Sequence, residues 1–287
     1  MTIRKAVILA AGYGTRSLPA SKAVPKEMLP LYDRPVIQYI VEEALAAGLD
    51  QIVMVTSRHK RAVEDHFDRD FELESVLERK PEVQAEMRRL GEVQMAFVRQ
   101  KERLGQAHAI LGTRRFIGDE PFALFYPDDV IFSDKPAIRQ LLDVGERYNS
   151  SVLAVQRVEP AEIVHYGAIE SEPVADRVYR VSKIVEKPKQ EEAPSNLGTV
   201  GRYVLTADIW PLLEKTPKSI GGEMFLTDTL AMLVAQGKPL YACEYEGVRF
   251  DTGRPAGLLQ ASLHVAMQDS EAAPVMRKFL DDSGLCR

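Results

Sequence analysis

The sequence KAVILAA, residues 5–11, is a continuous apolar run that leads into a glycine-containing loop. A run of this kind is typical of a strand that is covered on both faces of a parallel sheet. The segment PVIQYIVEEALAAG (35–48) begins with Pro, ends with Gly and repeats its apolar residues at roughly helical spacing. QIVMVTS (51–57) has the pattern of a second buried strand. Strand, helix and strand in this order predict a right-handed βαβ unit.

The same alternation continues to about residue 158. The segments that follow are a charged helical stretch near 60–90, a strand at 92–100 (EVQMAFVRQ), a helix in QAHAILGTRRF, a strand at 121–129 (PFALFYPDD), a helix at 135–148 and a strand at 151–158 (SVLAVQRV). Strands that alternate with helices in this way predict an α/β fold with a Rossmann-like, doubly wound and mostly parallel sheet.

The second half of the chain has a less regular pattern. It predicts short strands with hairpin character in YGAIES, VYRVSKIVEKP and GTVGRYVL, helices near 207–214 and 225–236, a strand-like segment LYACEYEGVRFDTG, and C-terminal helices from about residue 254. No repeat or linker-like run interrupts the sequence. We therefore expect a single domain over residues 1–287 with an elaborated second half.

Composition and charge exclude several classes of protein. The 287 residues are 45% hydrophobic and 28% charged, and the net charge of −5 provides no general basic field for nucleic acid or anionic lipid. Cys243 and Cys286 are far apart and lack CxxC spacing, which favours a reducing compartment and argues against a zinc site or a disulfide framework. The apolar run after Lys5 is too short for a signal peptide, and no stretch approaches the roughly 18 apolar residues of a membrane span. We expect a cytoplasmic protein with no nucleic-acid or membrane partner.

The loop after the first predicted strand, LAAGYGTRSLPASKAVPKEMLP (9–30), combines glycines with cations. In an open α/β sheet, ligands bind outside the carboxyl ends of the strands. Gly12 and Gly14 allow backbone N–H groups to approach an anion, and Arg16, Lys22 and Lys26 can neutralise it. A solvated loop with scattered cations is the alternative.

Two known phosphate-binding motifs do not fit this loop. The Walker motif requires Gly-Lys-Ser/Thr before a helix, and no such tripeptide occurs. The dinucleotide fingerprint requires a helix directly after its glycines, where this chain has Leu18 and Pro19. An NAD-dependent reductase is therefore a poor interpretation.

Three further segments carry charged residues next to predicted strands. YPDD (126–129) could cap a helix or provide a magnesium ligand, since Mg²⁺ prefers carboxylate oxygens. FDTG (250–253) is by itself more typical of a turn than of a site. VEKP (185–188) is by itself typical of a solvated ion pair. The residues alone leave these alternatives open.

The ordered set of GxGTR, PKEMLP and a helix that begins at DRP resembles the signature of the sugar-1-phosphate nucleotidylyltransferases, and PKEMLP resembles the bacterial UTP–glucose-1-phosphate uridylyltransferases in particular. The resemblance continues almost to the C-terminus through RQKERLGQAHA, FYPDDV, YGAI, VEKPK, SNLGTVGRYVL, LTDTL and FDTG. It implies transfer of a uridylyl group from UTP to glucose 1-phosphate with release of pyrophosphate. It also implies a nucleotide-binding part at about 1–150, and a sugar-phosphate-binding part with C-terminal helices at about 151–287.

The resemblance implies roles for individual residues. Catalytic roles fall to Arg16 and Lys26, which would contact the phosphates of the nucleotide, and to Lys187, which would hold the sugar phosphate. The nucleotide-binding residues would be Ala10, Ala11, Gly12, Gly14, Thr15, Gln100 and Gly105. The sugar-phosphate-binding residues would be Gly167, Glu186, Lys187 and Gly201. Asp128 and Asp251 would bind Mg²⁺ as cofactor, and UTP and glucose 1-phosphate would be the small-molecule partners of a homo-oligomer.

Two departures from the uridylyl pattern keep a dTTP-dependent thymidylyltransferase open. Thr252 stands where the uridylyl relatives usually have Cys, and GQAHA (105–109) stands where they usually have GLGHA. A non-catalytic regulatory protein that binds nucleotide sugars is a weaker alternative, because the charged residues of the site are all present. We interpret His108 as structural, expect Asp129 to orient its neighbour or to cap, and assign no role to Glu223.

The two acidic segments also carry an expectation about stability. Asp128 and Asp251 brought together without a cation would repel each other. We therefore expect the Asn variant of either residue to have a melting temperature equal to or above that of the wild-type protein in the absence of ligand.

Overall fold

The computed structural model describes residues 2–284, with Cys286 outside that range. Its strands are β1 Lys5–Leu9, β2 Pro30–Leu31, β3 Arg34–Pro35, β4 Gln51–Thr56, β5 Met95–Arg99, β6 Phe122–Phe125, β7 Asp129–Phe132, β8 Ser151–Arg157, β9 Gly167–Ala175, β10 Val178–Glu186, β11 Leu197–Leu205, β12 Leu240–Glu244 and β13 Val248–Asp251. Its helices are α1 Val36–Ala46, α2 Arg61–His66, α3 Phe71–Val76, α4 Pro81–Gly91, α5 Gln106–Leu111, α6 Arg114–Ile117, α7 Ala137–Tyr148, α8 Trp210–Leu213, α9 Leu226–Ala235, α10 Pro255–Ala266 and α11 Ala272–Ser283.

Nine of these strands form one sheet in the order β5-β4-β1-β6-β11-β8-β12-β10-β9. Strands β5, β4, β1 and β6 are parallel neighbours, which confirms the βαβ unit and the α/β fold predicted from the first half. Strand β11 is antiparallel to both β6 and β8, and β10 is antiparallel to both β12 and β9. Strands from the second half of the chain thus extend the same sheet, and four of the eight neighbouring pairs in this order are antiparallel, so the sheet is mixed rather than mostly parallel.

The sheet separates two hydrophobic cores. Along β1, Ala6 and Ile8 pack into the core that contains α1 and α7, whereas Val7 packs into the core that contains α5 and α9. Alternate residues of a strand point to opposite faces. Both faces of β1 are therefore covered, which explains why the sequence there is continuously apolar.

A separate two-stranded ladder joins the two halves next to the carboxyl ends of the parallel strands. Strand β7 pairs antiparallel with β13, so that Asp129 lies opposite Asp251. The sequence predicted a strand that runs to residue 129, but β6 ends at Phe125 and residues 126–129 form a turn, in which the Asp129 N–H donates to the Tyr126 carbonyl at 3.2 Å. Pro127 occupies the second position of this turn, where its fixed φ is favourable.

The helices and the free cysteine bear on the class of protein. Between residues 2 and 284, no helix combines the length and apolar content needed to cross a membrane. Cys243 is a free, buried thiol, and burial raises its pKa to about 11.

Candidate active site

Two adjoining clefts lie next to the carboxyl ends of the parallel strands. The first, which we call the loop cleft, has a volume of about 480 Å³ and is bounded by the loop after β1 and by the start of α5. The second, the strand cleft, has a volume of about 370 Å³ and is bounded by β9, β10 and β11. Gln106, Tyr126 and Asp128 line both clefts. A ligand that extended from one cleft to the other would pass Asp128.

The predicted site residues divide between the clefts. The loop cleft is lined by Ala11, Gly12, Gly14, Thr15, Lys26, Gln100 and Gly105. The strand cleft is lined by Arg16, Gly167, Glu186, Lys187, Gly201 and Asp251. Ala10 lines neither cleft, because it is fully buried in the core and its N–H donates to the Val55 carbonyl at 2.8 Å. Lys22 also lines neither, and borders a separate basic cleft with Arg58.

The carboxylates of Asp128 and Asp251 face one another at the end of the β7–β13 ladder. One oxygen of each lies 3.0 Å from the position that a Cβ atom on Gly253 would occupy. The same position is 2.5 Å from an Arg16 nitrogen, so a side chain at Gly253 would collide with charged groups on three residues. A glycine at this position therefore lets the two carboxylates and the Arg16 guanidinium lie close together.

Thr252 fixes the turn that carries Asp128. Its N–H and its Oγ1 hydroxyl both donate to the Asp128 carbonyl oxygen, at 2.8 and 3.0 Å. The residue is buried and lines neither cleft. Thr252 thus contacts the turn that carries Asp128 and does not border either cleft directly.

Cations from the loop after β1 neutralise the carboxylate pair. Lys26 Nζ lies 2.8 Å from Asp128 Oδ2, and Arg16 lies 3.3 Å from the same oxygen and 3.5 Å from Asp251 Oδ2. Arg254 approaches Asp251 Oδ2 to 3.3 Å. These ion pairs offset the repulsion expected from the sequence, which considered the two carboxylates without their neighbours.

The same contacts shift the pKa values of Asp128 and Lys26. Burial alone would raise the pKa of Asp128, but Lys26 and Arg16 outweigh it, and the pKa lies below its usual value. Burial would likewise lower the pKa of Lys26, but Asp128 and Glu27 outweigh it and raise the pKa. Both groups are therefore charged at neutral pH.

Asp129 orients its surroundings, as one of the two roles expected for it. Arg249 donates to Asp129 Oδ1 at 2.6 Å, and the Gly201 N–H donates to Oδ2 at 2.8 Å. Both carboxylate oxygens are thereby occupied by protein donors. A Cβ on Gly201 would lie 2.5 Å from the Tyr126 Cβ and 2.7 Å from Asp129 Oδ2, which gives a structural reason for the glycine at this position.

Lys187 lies at the end of β10 in an unusual backbone conformation. Its φ of 42° is rare for a non-glycine residue, and its N–H donates to the Tyr166 carbonyl at 3.1 Å. The ammonium group lies 3.5 Å from Glu186 Oε1 and 5.2 Å from the centre of the Phe225 ring. Residues held in such conformations cluster at ligand-binding sites, where the surrounding structure maintains them.

In the loop cleft, the side-chain amide of Gln100 is held by hydrogen bonds at its nitrogen only. Its amide nitrogen contacts the Gly105 carbonyl at 3.1 Å and His108 Nδ1 at 3.2 Å. Its amide oxygen makes no hydrogen bond within residues 2–284. Gly105 has a φ of 98°, and a Cβ there would lie 2.6 Å from backbone atoms of Met224. His108 thus has a structural role, which is to orient the Gln100 amide.

Sequence reasoning missed the stacked pair of Tyr13 and Arg103. The Arg103 guanidinium lies 3.1 Å from the centre of the Tyr13 ring and donates to the Ala11 carbonyl and to Ser57 Oγ, both at 3.2 Å. Tyr13 is otherwise 67% exposed at the mouth of the loop cleft. No motif spacing indicates this contact, because it joins residues that are brought together only by the parallel sheet.

Sequence reasoning also missed a buried ion pair beneath the loop. Lys60 Nζ lies 2.5 Å from Glu27 Oε2, and both side chains are almost completely buried. Burial lowers the pKa of Lys60 despite the opposing effect of Glu27. Glu27 follows Lys26 directly, so the ion pair ties the segment that carries Lys26 to the start of α2.

Comparisons with known proteins cover nearly the whole chain. Residues 5–268 match the family model described as Nucleotidyl transferase. The chain is 46% identical over 281 residues to UTP–glucose-1-phosphate uridylyltransferase 2 of Staphylococcus saprophyticus, and 46% identical over 285 residues to the uridylyltransferase of Staphylococcus epidermidis, with 97% of each chain covered in both cases.

Two solved structures are similar over most of their length. A UDP-glucose pyrophosphorylase complexed with UDP-glucose has a TM-score of 0.86 and 39% identity, covering 93% of this chain and 100% of that one. A UTP-bound UGPase from Acinetobacter baumannii has a TM-score of 0.89 and 36% identity, covering 97% of this chain and 99% of that one.

The ion pairs of Asp128 reverse the expectation for its Asn variant. We expect Asp128→Asn to lower the free energy of unfolding at pH 7 by about 1–3 kcal/mol, because the partly buried Lys26 loses a charged acceptor. Urea unfolding without added metal or nucleotide measures this, with Asp119→Asn, an exposed acid without an ion pair in the described range, as the control.

The pH dependence of this difference follows from the direction of the pKa shift. Because the pKa of Asp128 is depressed in the folded protein, its stabilising contribution is fully present above the unfolded pKa of about 3.9 and is lost below it. The difference should hold from about pH 8 to pH 5 and shrink below about pH 4. A variant as stable as the wild type at pH 7 would restore the original expectation.

Proposed function

The chain belongs to the nucleotidyl transferase family, and from this premise we propose that it transfers the uridylyl group of UTP to glucose 1-phosphate, giving UDP-glucose and pyrophosphate. One observation carries the proposal: Asp128 lies where the loop cleft and the strand cleft adjoin, and Asp251 lies beside it in the strand cleft. The similarity of nearly the whole chain to uridylyltransferases supports it, as do similar structures that hold UTP and UDP-glucose.

The reaction requires the protein to position two anions, UTP and glucose 1-phosphate. A phosphate oxygen of glucose 1-phosphate forms a bond to the α-phosphorus of UTP, and the bond from that phosphorus to the oxygen of the leaving pyrophosphate breaks in line with it. The attacking oxygen is already anionic near neutral pH, so no general base is needed. Orientation and charge neutralisation then provide the catalysis.

We assign the loop cleft to UTP. Backbone N–H groups of the Gly12–Thr15 region would face the nucleotide, and Arg16 and Lys26 would exchange their carboxylate contacts for phosphate oxygens. The free amide oxygen of Gln100 could accept a hydrogen bond from N3–H of uracil. Ala11 and Gly105 complete the wall of this cleft.

We assign the strand cleft to glucose 1-phosphate. Lys187 would bind the phosphate as a point charge, and Glu186 would accept hydrogen bonds from sugar hydroxyls. Gly167 and Gly201 line the same wall. The nucleophile would then lie in the cleft that adjoins the loop cleft at Asp128, from which it could approach the α-phosphorus of UTP.

The acidic pair has the donor chemistry for Mg²⁺, which we propose as the cofactor. Among residues 2–284 no group of three or more metal-binding side chains occurs, so Asp128 and Asp251 would supply two oxygens and phosphate and water the remainder. An ion held there would neutralise negative charge on the phosphates. Arg16 and Lys26 now lie against these oxygens and would move to phosphate when the ion binds.

The division into a nucleotide part at about 1–150 and a sugar-phosphate part at about 151–287 is a proposal that needs one refinement. Arg16 and Tyr126 of the first part also line the strand cleft, and Glu223 of the second part lines the loop cleft. We further propose a cytoplasmic location and a homo-oligomer, and light scattering of the purified protein would measure the oligomeric state.

The two residues that keep the dTTP alternative open differ in where they lie. Thr252 contacts Asp128 rather than either cleft. Gln106 does line both clefts, and its side-chain oxygen accepts from the Leu226 N–H at 3.4 Å. The GQAHA segment therefore stays the feature that could admit dTTP as a secondary substrate.

In a panel of nucleoside triphosphates and sugar 1-phosphates, we expect UTP with glucose 1-phosphate to give the highest kcat/KM, with dTTP second. Release of pyrophosphate measures each pair. A clear preference for dTTP would contradict the uridylyl assignment, and the absence of pyrophosphate from every pair would favour a protein that binds nucleotide sugars without catalysis.

We expect Lys187→Ala to raise the KM for glucose 1-phosphate by about 10- to 100-fold, as for the loss of one hydrogen bond between charged groups, while the Kd for UTP changes little. Lys187 lines only the strand cleft. Lys189→Ala is the matched control, because Lys189 is exposed and contacts Glu192. Calorimetry that showed UTP affinity falling as far as the KM rises would refute the division of roles.

We expect Asp251→Asn to lower Mg²⁺-dependent turnover by something like 10²- to 10³-fold, as is typical for the loss of one electrostatic stabiliser. The concentration of Mg²⁺ that gives half-maximal turnover should rise as well. Asp208→Asn, which alters a surface ion pair with Lys238, is the control. Near-normal turnover of Asp251→Asn at millimolar Mg²⁺ would remove Asp251 from the metal site.

A further inference from the structure

Arg202 is a fully buried charge directly behind the turn that carries Asp128. It lies on β11, opposite Phe125 of β6, and its side chain is 0% exposed. Its guanidinium lies 4.9 Å from the centre of the Phe125 ring. A buried arginine needs partners for five N–H donors, so its contacts show what it holds.

Those contacts lie at the two ends of the acidic turn, residues 126–129. Arg202 Nη1 donates to the Tyr126 carbonyl at 3.3 Å, and Nη2 donates to the Asp129 carbonyl at 2.7 Å. These carbonyls flank Pro127 and Asp128. One rigid, planar group thus spans the turn from its first residue to its last.

Glu43 holds the guanidinium in place from the other side. Its carboxylate accepts from Arg202 Nε at 3.1 Å and from Nη2 at 2.6 Å. Its Oε1 also accepts from the Ile138 N–H at 3.0 Å, in the first turn of α7. Glu43 lies on α1, so the ion pair connects α1, α7 and β11 to the acidic turn.

From this geometry we propose that Arg202, anchored by Glu43, is a positioning residue for the transfer reaction, since it fixes the turn that aims the Asp128 carboxylate at the junction of the clefts. The proposal rests on the proposed function. Stability alone is a poor reason for such a pair, because the desolvation penalty of two buried charges often equals or exceeds their attraction. Apolar side chains of similar volume would avoid that desolvation penalty, but they could not donate hydrogen bonds to the two carbonyls.

The test replaces both charges together. In Glu43→Met/Arg202→Met, we expect the protein to fold with a lowered melting temperature, because no charge is left unpaired but the Tyr126 and Asp129 carbonyls and the Ile138 N–H each lose a hydrogen-bond partner. We expect kcat to fall on the order of 10²-fold, as for a displacement of about 1 Å in a reacting group, while the KM values change little. Amide hydrogen exchange of the segment 125–130, measured by mass spectrometry without substrate or metal, should become faster.

The control is a second ion pair, in which Glu74 is buried and Arg69 is partly exposed. Neither residue lines either cleft. Glu74→Met/Arg69→Met should keep the wild-type kcat and the wild-type exchange of 125–130. If it lost both to the same extent, the effect would be general destabilisation and the proposal would be wrong.

A conservative variant covers the case in which the double variant does not fold. Arg202→Lys keeps the charge beside Glu43, but its single ammonium group cannot span both carbonyls. We expect it to fold, with kcat reduced about tenfold and with faster exchange of 125–130. Exchange and kcat both within twofold of the wild type in this variant would overturn the proposal. If the wild-type protein formed no UDP-glucose, the proposed function would fail. The exchange measurement would still test whether Arg202 fixes the turn at residues 126–129.

Discussion

The site depends on keeping two carboxylates from opposite halves of the chain within reach of one point. Asp128 lies in the turn after β6 and Asp251 ends β13, and the β7–β13 ladder sets their separation. The absence of a side chain at Gly253 leaves room for them, and Thr252 holds the carbonyl of Asp128 with two hydrogen bonds. Each of these features would be unnecessary around a single acid. Together they favour the proposed role of FDTG in the site over a plain turn.

Neighbouring cations offset the repulsion between the two carboxylates. Two like charges at this distance would each tend to hold a proton, but Lys26 and Arg16 keep Asp128 ionised. These cations come from the loop that we assign to the triphosphate. Ligand binding would therefore exchange one set of ion pairs for another instead of placing new charges in an uncompensated site. Part of the attraction for phosphate is offset by the contacts that are given up, and in return the cations are already positioned.

The sequence predicted the features that depend on local pattern. Periodicity located the parallel strands and the helices between them, because KAVILAA and QIVMVTS are covered on both faces. The resemblance of the loop and acidic motifs correctly indicated the family. Pattern could not predict strand β7, since Asp129 begins it directly after a turn, or the reversed strand β11 inside the sheet. The resemblance implied a nucleotide-binding role for Ala10, but its side chain is buried in the core and lines neither cleft.

Contacts between residues that are far apart in the sequence could not be predicted either, and two of them share a physical feature. The buried ion pairs Glu27–Lys60 and Arg202–Glu43 each lie beneath a loop of the site, and one oxygen of Glu27 has no hydrogen-bond partner in the described range. Buried charges are costly to desolvate, so a core selected for stability alone would use apolar groups here. Unlike an apolar contact, a hydrogen-bonded ion pair requires a specific distance and orientation of its two groups, so it permits few alternative arrangements. Its position beneath the segments that carry Lys26 and Asp128 is therefore best understood as a way to fix where those two charges lie, at some expense of stability.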